Sequence, residues 1–166
     1  MFLRVVVVSV SLLTGAGLSQ FPEFSQQYLQ RLGGAVDALE QVVSDFDHSA
    51  AAVGLSRHKA LDEMNGSPFL QRRQADLRRT ILRYEELLNA YTALRSGGPF
   101  TRFYEIEHLQ DPQILQGTWD DFQPALPLTF EGLFFALFGF GAGYGVMKTV
   151  AKLFRPGRRR NKPTAA

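Results

Sequence analysis

The chain of 166 residues contains no cysteine, which removes disulfides, thiolate metal sites and cysteine nucleophiles from consideration. It has no acidic residue before Glu23 or after Glu131. It also lacks the G-x-S-x-G, P-loop, dinucleotide-fingerprint and H-E-x-x-H patterns, so the commonest hydrolase, nucleotide and zinc-protease chemistries have no residues to rest on. Two of its three histidines follow a carboxylate by three positions, Asp45 with His48 and Glu105 with His108, which is the spacing of a di-iron bundle ligand pair. Asp45 is short for a bridging ligand and acids are frequent in this region, so the sequence is read as having no metal, no cofactor and no enzymatic activity. His58, between Arg57 and Lys59, reads as a solvated surface residue.

What the chain does have is charge asymmetry. The sixteen acids between Glu23 and Glu131 share that region with ten Lys and Arg, a net charge of −6, whereas Lys148 to Lys162 holds seven basic residues and no acid. Directly after an apolar run, a basic block such as Arg155, Arg158, Arg159, Arg160 and Lys162 marks the cytoplasmic side of a membrane helix. No aromatic stacking platform accompanies these arginines, so nucleic acid is not expected as a partner.

Apolar runs lie near both ends. Val5 to Leu18 carries no charge and reads as an N-terminal membrane helix within residues 1–20, with Arg4 snorkelling to the surface; the alternative is a signal peptide cleaved after Gly17-Leu18-Ser19. The second run, residues 126–154, has an uncharged centre from Gly132 to Met147 with five phenylalanines or tyrosines. Four glycines there, Gly139, Gly141, Gly143 and Gly145, make two G-x-x-x-G pairs, and Gly132 with Ala136 extends the small-residue pattern. Small residues four apart let membrane helices approach closely, either the first segment, whose Ser11 and Gly15 share the spacing, or a second copy of the chain. Glu131, just before the uncharged centre, suits the start of a helix at the interface.

Between them, residues 21–125 read as an extracytoplasmic helical domain. Phe24, Tyr28, Leu32, Ala35, Leu39, Val42 and Phe46 form one helical stripe, and Leu70, Leu77, Ile81, Tyr84, Leu88 and Tyr91 form another, opened by Ser67-Pro68 and ended by Gly97-Gly98-Pro99. Ser56 caps a short helix between them, and Asp111-Pro112 starts a later one. The first long helix is acidic (Asp37, Glu40, Asp45, Asp47) and the second is rich in arginine (Arg72, Arg73, Arg78, Arg79, Arg83), so an antiparallel hairpin with opposite charges beside the shared stripe is expected. Phe21, Pro22, Phe24 and Tyr28 form a membrane-exit joint, with the aromatics at headgroup level and the proline restarting the helix. Gln20, Gln26, Gln27 and Gln30 either keep this helix solvated or hydrogen-bond a partner. Gly33-Gly34 suggests close approach by another helix.

The stretches SQFPEFSQQYLQRLGGAVDAL, DFDHSAAAVGLSR, GSPFLQRR and PLTFEG together resemble an uncharacterised proteobacterial membrane-protein family, a domain of unknown function. The resemblance implies a small inner-membrane protein with a hydrophobic segment at each end, and it favours keeping the first one. The expectation is an all-α membrane protein: N-terminal and C-terminal transmembrane helices flank an antiparallel helical hairpin, and residues 155–166 form a basic cytoplasmic tail. With both termini in the cytoplasm and the middle in the periplasm, it would serve as a non-enzymatic anchor or interaction protein. Its partners would be the lipid bilayer, a second copy or another envelope protein. The alternative is a subunit of a transporter or channel complex.

Overall fold

The computed structural model describes residues 2–126 and 129–153, with side chains from residue 4 to residue 152. Every regular element among them is helical: α1 (Phe2–Ser19), α2 (Phe21–Ala52), α3 (Arg57–Glu63), α4 (Pro68–Arg95), α5 (Pro99–Tyr104), a 3-10 turn (Ile106–Leu109), α6 (Pro112–Asp120) and α7 (Phe130–Leu153). The expected tail residues Arg155, Arg158, Arg159, Arg160 and Lys162 lie outside the described residues. The chain divides into two compact units, one combining the described parts of Met1–Pro22 and Ala125–Ala166, the other spanning Glu23–Pro124.

The first unit is a pair of helices, α1 against α7. The 18 residues of α1 and the 24 of α7 rise ~27 Å and ~36 Å, against a hydrocarbon layer of ~30 Å. Both are long and apolar enough to cross a membrane. Contacts at Gly15 with Phe140, at Ser11 with Gly143 and at Phe21 with Phe135 make the pair antiparallel, because positions rise along α1 as they fall along α7. Thr129 starts α7 by accepting the Gly132 amide on its hydroxyl at 3.1 Å, and Glu131 sits in the first turn, where the helix dipole favours an acid.

The second unit is organised around the long helix α2. Pro22 occupies its second position, where a missing N–H costs nothing. At the other end Gly54 adopts φ +73°, and the amides of Gly54 and Leu55 return to the carbonyls of Ala51 and Ala50, a left-handed glycine stop. Ser56 and Ser67 accept the amides of Lys59 and Leu70 as N-caps of α3 and α4, and Pro68, Pro99 and Pro112 each sit in a first helical turn. Val43 of α2, Leu61 of α3 and Ile81 of α4 form one buried cluster, with Phe46, Met64, Leu77 and Tyr84 packed around it.

Two expectations are corrected here. The buried stripe of α2 runs through Tyr28, Leu29, Leu32, Val36, Val43 and Ala50, while Val42 is exposed. At 100° per residue the buried face, carried by Leu29, Val36, Val43 and Ala50 in steps of seven, lies about 60° around the helix from the expected stripe, so positions 35 and 42 fall to its edge while positions 36 and 43 lie within it. The α4 arginines do not pair with the acids of α2: Arg78 meets Asp62 of α3, Arg79 meets Asp76 of its own helix, Arg83 meets Asp111, and Asp47 of α2 meets Arg57. Gly54→Ala forces a β-carbon into left-handed backbone and is expected to cost roughly 1 kcal/mol, read as a lower unfolding midpoint of the full chain in detergent.

Candidate interaction sites

The face of α1 toward α7 is built from Val7, Ser11, Gly15 and Ser19, one residue every four, all buried. The facing residues of α7 are Gly132, Phe135, Gly139 and Gly143. A β-carbon added to Gly139 would lie 2.8 Å from the Thr14 carbonyl oxygen and 3.0 Å from the Gly15 Cα; one on Gly15 would lie 2.7 Å from the Ala136 carbonyl oxygen. One on Gly143 would meet the Thr14 hydroxyl at 2.9 Å. The helices therefore touch backbone to backbone. The hydroxyls at the contact are satisfied within their own helix, Ser11 donating to the Val7 carbonyl at 2.7 Å and Thr14 to that of Val10 at 2.8 Å, so they pack as small groups.

The four sequence-selected glycines fall on two faces. Gly139 and Gly143 meet α1, whereas Gly141 and Gly145 have open space where a β-carbon would go. Around the outside of the pair, Val5, Leu12, Leu13, Leu133, Leu137, Phe138 and Val146 are all exposed, Leu13 to 73% and Leu137 to 65%. Phe135 was not singled out by the sequence, yet it is 2% exposed and packs against Phe21 at 5.3 Å between ring centres.

In the second unit the membrane-exit reading needs correction at Tyr28. Its side chain is fully buried. Its hydroxyl donates toward the His108 carbonyl at 3.4 Å and accepts the Asp111 amide at 3.2 Å. Burial raises its pKa and keeps the phenol neutral. Phe24 is half-buried and meets Trp119 and Phe122 edge-on, so this aromatic too is engaged within its own unit.

Asp111 is the hub beside Tyr28. Its Oδ1 accepts the amides of Gln113 at 3.1 Å and Ile114 at 3.0 Å as the N-cap of α6, and both its oxygens take the Arg83 guanidinium, with Nη2 donating to Oδ1 at 2.8 Å. The Arg83 hydrogen bond, with help from the Ile114 amide, holds the Asp111 carboxyl below the usual carboxylate range, and Asp111 in turn raises the pKa of Arg83. Arg57 lowers the Asp47 carboxyl in the same way. Arg102 is a buried cation with neutral acceptors, donating to Gln26 Oε1 at 2.7 Å and to the Leu94 carbonyl at 3.3 Å; burial lowers its pKa.

Gln20, Gln26 and Gln27 bind the chain itself. Gln27 donates to the Gln123 carbonyl at 3.1 Å and receives the Gln123 amide at 3.4 Å, and Gln20 receives the Ala125 amide at 3.1 Å. Beside Gln27 lies an open polar groove of about 570 Å³ lined by Glu23, Gln27, Gln30, Arg31, Thr118, Asp121 and Gln123. Arg31 donates to the Gly117 carbonyl at 2.9 Å and to Asp121 at 2.7 Å, lying where a side chain at Gly117 would sit. Gly33 faces the Tyr91 ring, and Gly34 faces open space. Glu105, Glu107 and His108 bring three potential ligand atoms within 4.8 Å of one another; neither Asp45 nor His48 belongs to that group.

Among the described residues every regular element is helical and two helices are long and apolar enough to cross a membrane, and that is the class these observations define. Over residues 2–160 the chain matches the family described as protein of unknown function (DUF2937), and it belongs to that family. No curated protein and no solved structure matches it.

Two tests follow from this geometry. Gly139→Val drives a branched side chain into the α1 backbone and lowers the thermal midpoint of the full chain in detergent, whereas Gly141→Ala and Gly145→Ala leave the midpoint unchanged or raise it, adding up to about 1 kcal/mol each of helix propensity. Because the Asp111 pKa is depressed on folding, its contribution is present above the unfolded value of about 4 and is lost as pH falls through the folded value. Asp111→Asn is therefore less stable than the parent at pH 7, by roughly 1–3 kcal/mol, and the gap narrows as both are titrated toward pH 3.

Proposed function

We propose that this protein is an integral inner-membrane protein. The α1–α7 pair sits in the bilayer, and Glu23–Pro124 is held outside the cytoplasm as a helical hairpin that docks another envelope component. The carrying observation is the outward face of the pair. Large apolar side chains from Val5 to Leu13 and from Leu133 to Val150 point away from the partner helix, and water would charge heavily for such a surface while lipid accepts it. The second unit supports the hairpin reading through Gly33 against Tyr91 and Val43 beside Ile81, pairs whose order reverses along α2 and α4.

Orientation follows from the positive-inside rule. Arg4 and the basic residues after Met147 belong at the cytoplasmic face, which sends the net-acidic middle to the opposite side. The role is read as non-enzymatic, and the polar groove around Gln27, Gln30 and Arg31 is the surface offered to a partner. Reporter fusions test this: alkaline phosphatase inserted at residue 60 is expected to be active, and a fluorescent protein after residue 166 is expected to glow. Inactive phosphatase at residue 60 with a dark C-terminal fusion would contradict the orientation, and recovery of the untagged chain in the supernatant without detergent would contradict the membrane reading.

A further inference from the structure

At the end of the helix pair where α1 begins and α7 finishes, the antiparallel register brings together charges almost the whole chain apart. Arg4, Lys148 and Lys152 line one cavity of about 610 Å³, with Val7, Val8 and Ala151 as its apolar wall and Tyr144 at its edge. Lys148 lies over the Tyr144 ring at 5.5 Å. Among the described residues none of the three cations has a carboxylate partner, and the nearest acid along α7, Glu131, is ~25 Å away at the other end of the helix. Three uncompensated cations around one space is a site short of an anion.

We infer that this cavity binds the phosphate of an anionic glycerophospholipid. The inference rests on the membrane reading of the α1–α7 pair. Arg4 immediately precedes one uncharged run and Lys148 immediately follows the other, so both cations stand at headgroup level of a single leaflet. The phosphate meets the guanidinium and ammonium groups, and the glycerol and first acyl carbons continue along Val7, Val8 and Ala151. A choline or ethanolamine headgroup carries its own cation into a triply positive site and is disfavoured; a headgroup with unbalanced phosphate charge is selected. Free phosphate satisfies the cations but leaves the apolar wall without an occupant.

The test uses the full-length protein in detergent, with bound lipid counted by native mass spectrometry in the presence of phosphatidylglycerol, phosphatidylcholine or inorganic phosphate. The wild type is expected to retain phosphatidylglycerol preferentially. The triple variant Arg4→Gln, Lys148→Gln, Lys152→Gln is expected to lose that preference by on the order of 100-fold, roughly fivefold for each cation. A charge-conserving variant, Arg4→Lys, Lys148→Arg, Lys152→Arg, is expected to keep it. So is a chain whose Arg155, Arg158, Arg159, Arg160 and Lys162 are all changed to Gln. Equal retention of phosphatidylcholine overturns the proposal, as does displacement of the lipid by inorganic phosphate at matched concentration, or a preference that vanishes only when the five tail residues are neutralised. Carbonate extraction of membranes carrying the wild type separates the two ideas. A wild type that stays integral without lipid preference refutes the headgroup site alone, whereas a wild type released by carbonate refutes the membrane reading beneath it.

Discussion

A β-carbon does not fit where α1 crosses α7. At Gly15 and Gly139 the backbones themselves are in contact, and that constraint fixes which faces meet, in what register and in which direction. Glycine inside a helix costs about 1 kcal/mol relative to alanine. At Gly139 and Gly143 the cost is offset by close packing against the backbone and small side chains of α1. The same register carries Arg4 to the end of α7, so a packing detail in the middle of the pair decides where positive charge gathers at its edge.

The second unit is held differently. A buried tyrosine hydroxyl, a helix-capping aspartate and an arginine from α4 form one connected polar group, in which Tyr28 contacts the backbone of the 3-10 turn and the start of α6 while Arg83 contacts Asp111 from the other side. Each polar atom there has a partner, which is what lets such a group sit within an apolar interior. Gln27 joins this unit's first helix to residue 123 near its end, and within the other unit Gln20 makes the corresponding bond to residue 125.

Local chemistry was legible in the sequence. Ser56, Ser67 and Asp111 start the helices their side chains can cap, and prolines mark first turns because those positions need no amide. The apolar run of α7 and the four-residue spacing of its glycines were equally plain. Facing was not. Gly139 and Gly141 belong to identical G-x-x-x-G patterns, yet two residues turn a helix by about 200°, so one touches α1 and the other does not. Tyr28 follows an apolar run closely enough to pass for an interfacial aromatic; its hydroxyl partners lie some eighty positions along the chain, beyond the reach of any local pattern. The arginines of α4 misled for the same reason, since Asp111 and Asp62 compete for them with the acids of α2. Thr129, the cap of α7, stands in PLTFEG three residues before the Gly132 amide it accepts, the spacing of a helix N-cap.

The absence of native cysteine makes the central contact directly measurable in membranes. Phe21→Cys with Phe135→Cys places two thiols where the helices touch without adding a β-carbon at a glycine contact, since the rings they replace lie 5.3 Å apart. The account predicts a rapid disulfide within one chain for this pair and none for Leu12→Cys with Gly141→Cys, whose positions face outward. A disulfide that forms only between two chains, or one that forms for the outward pair and not for the inward one, would contradict it.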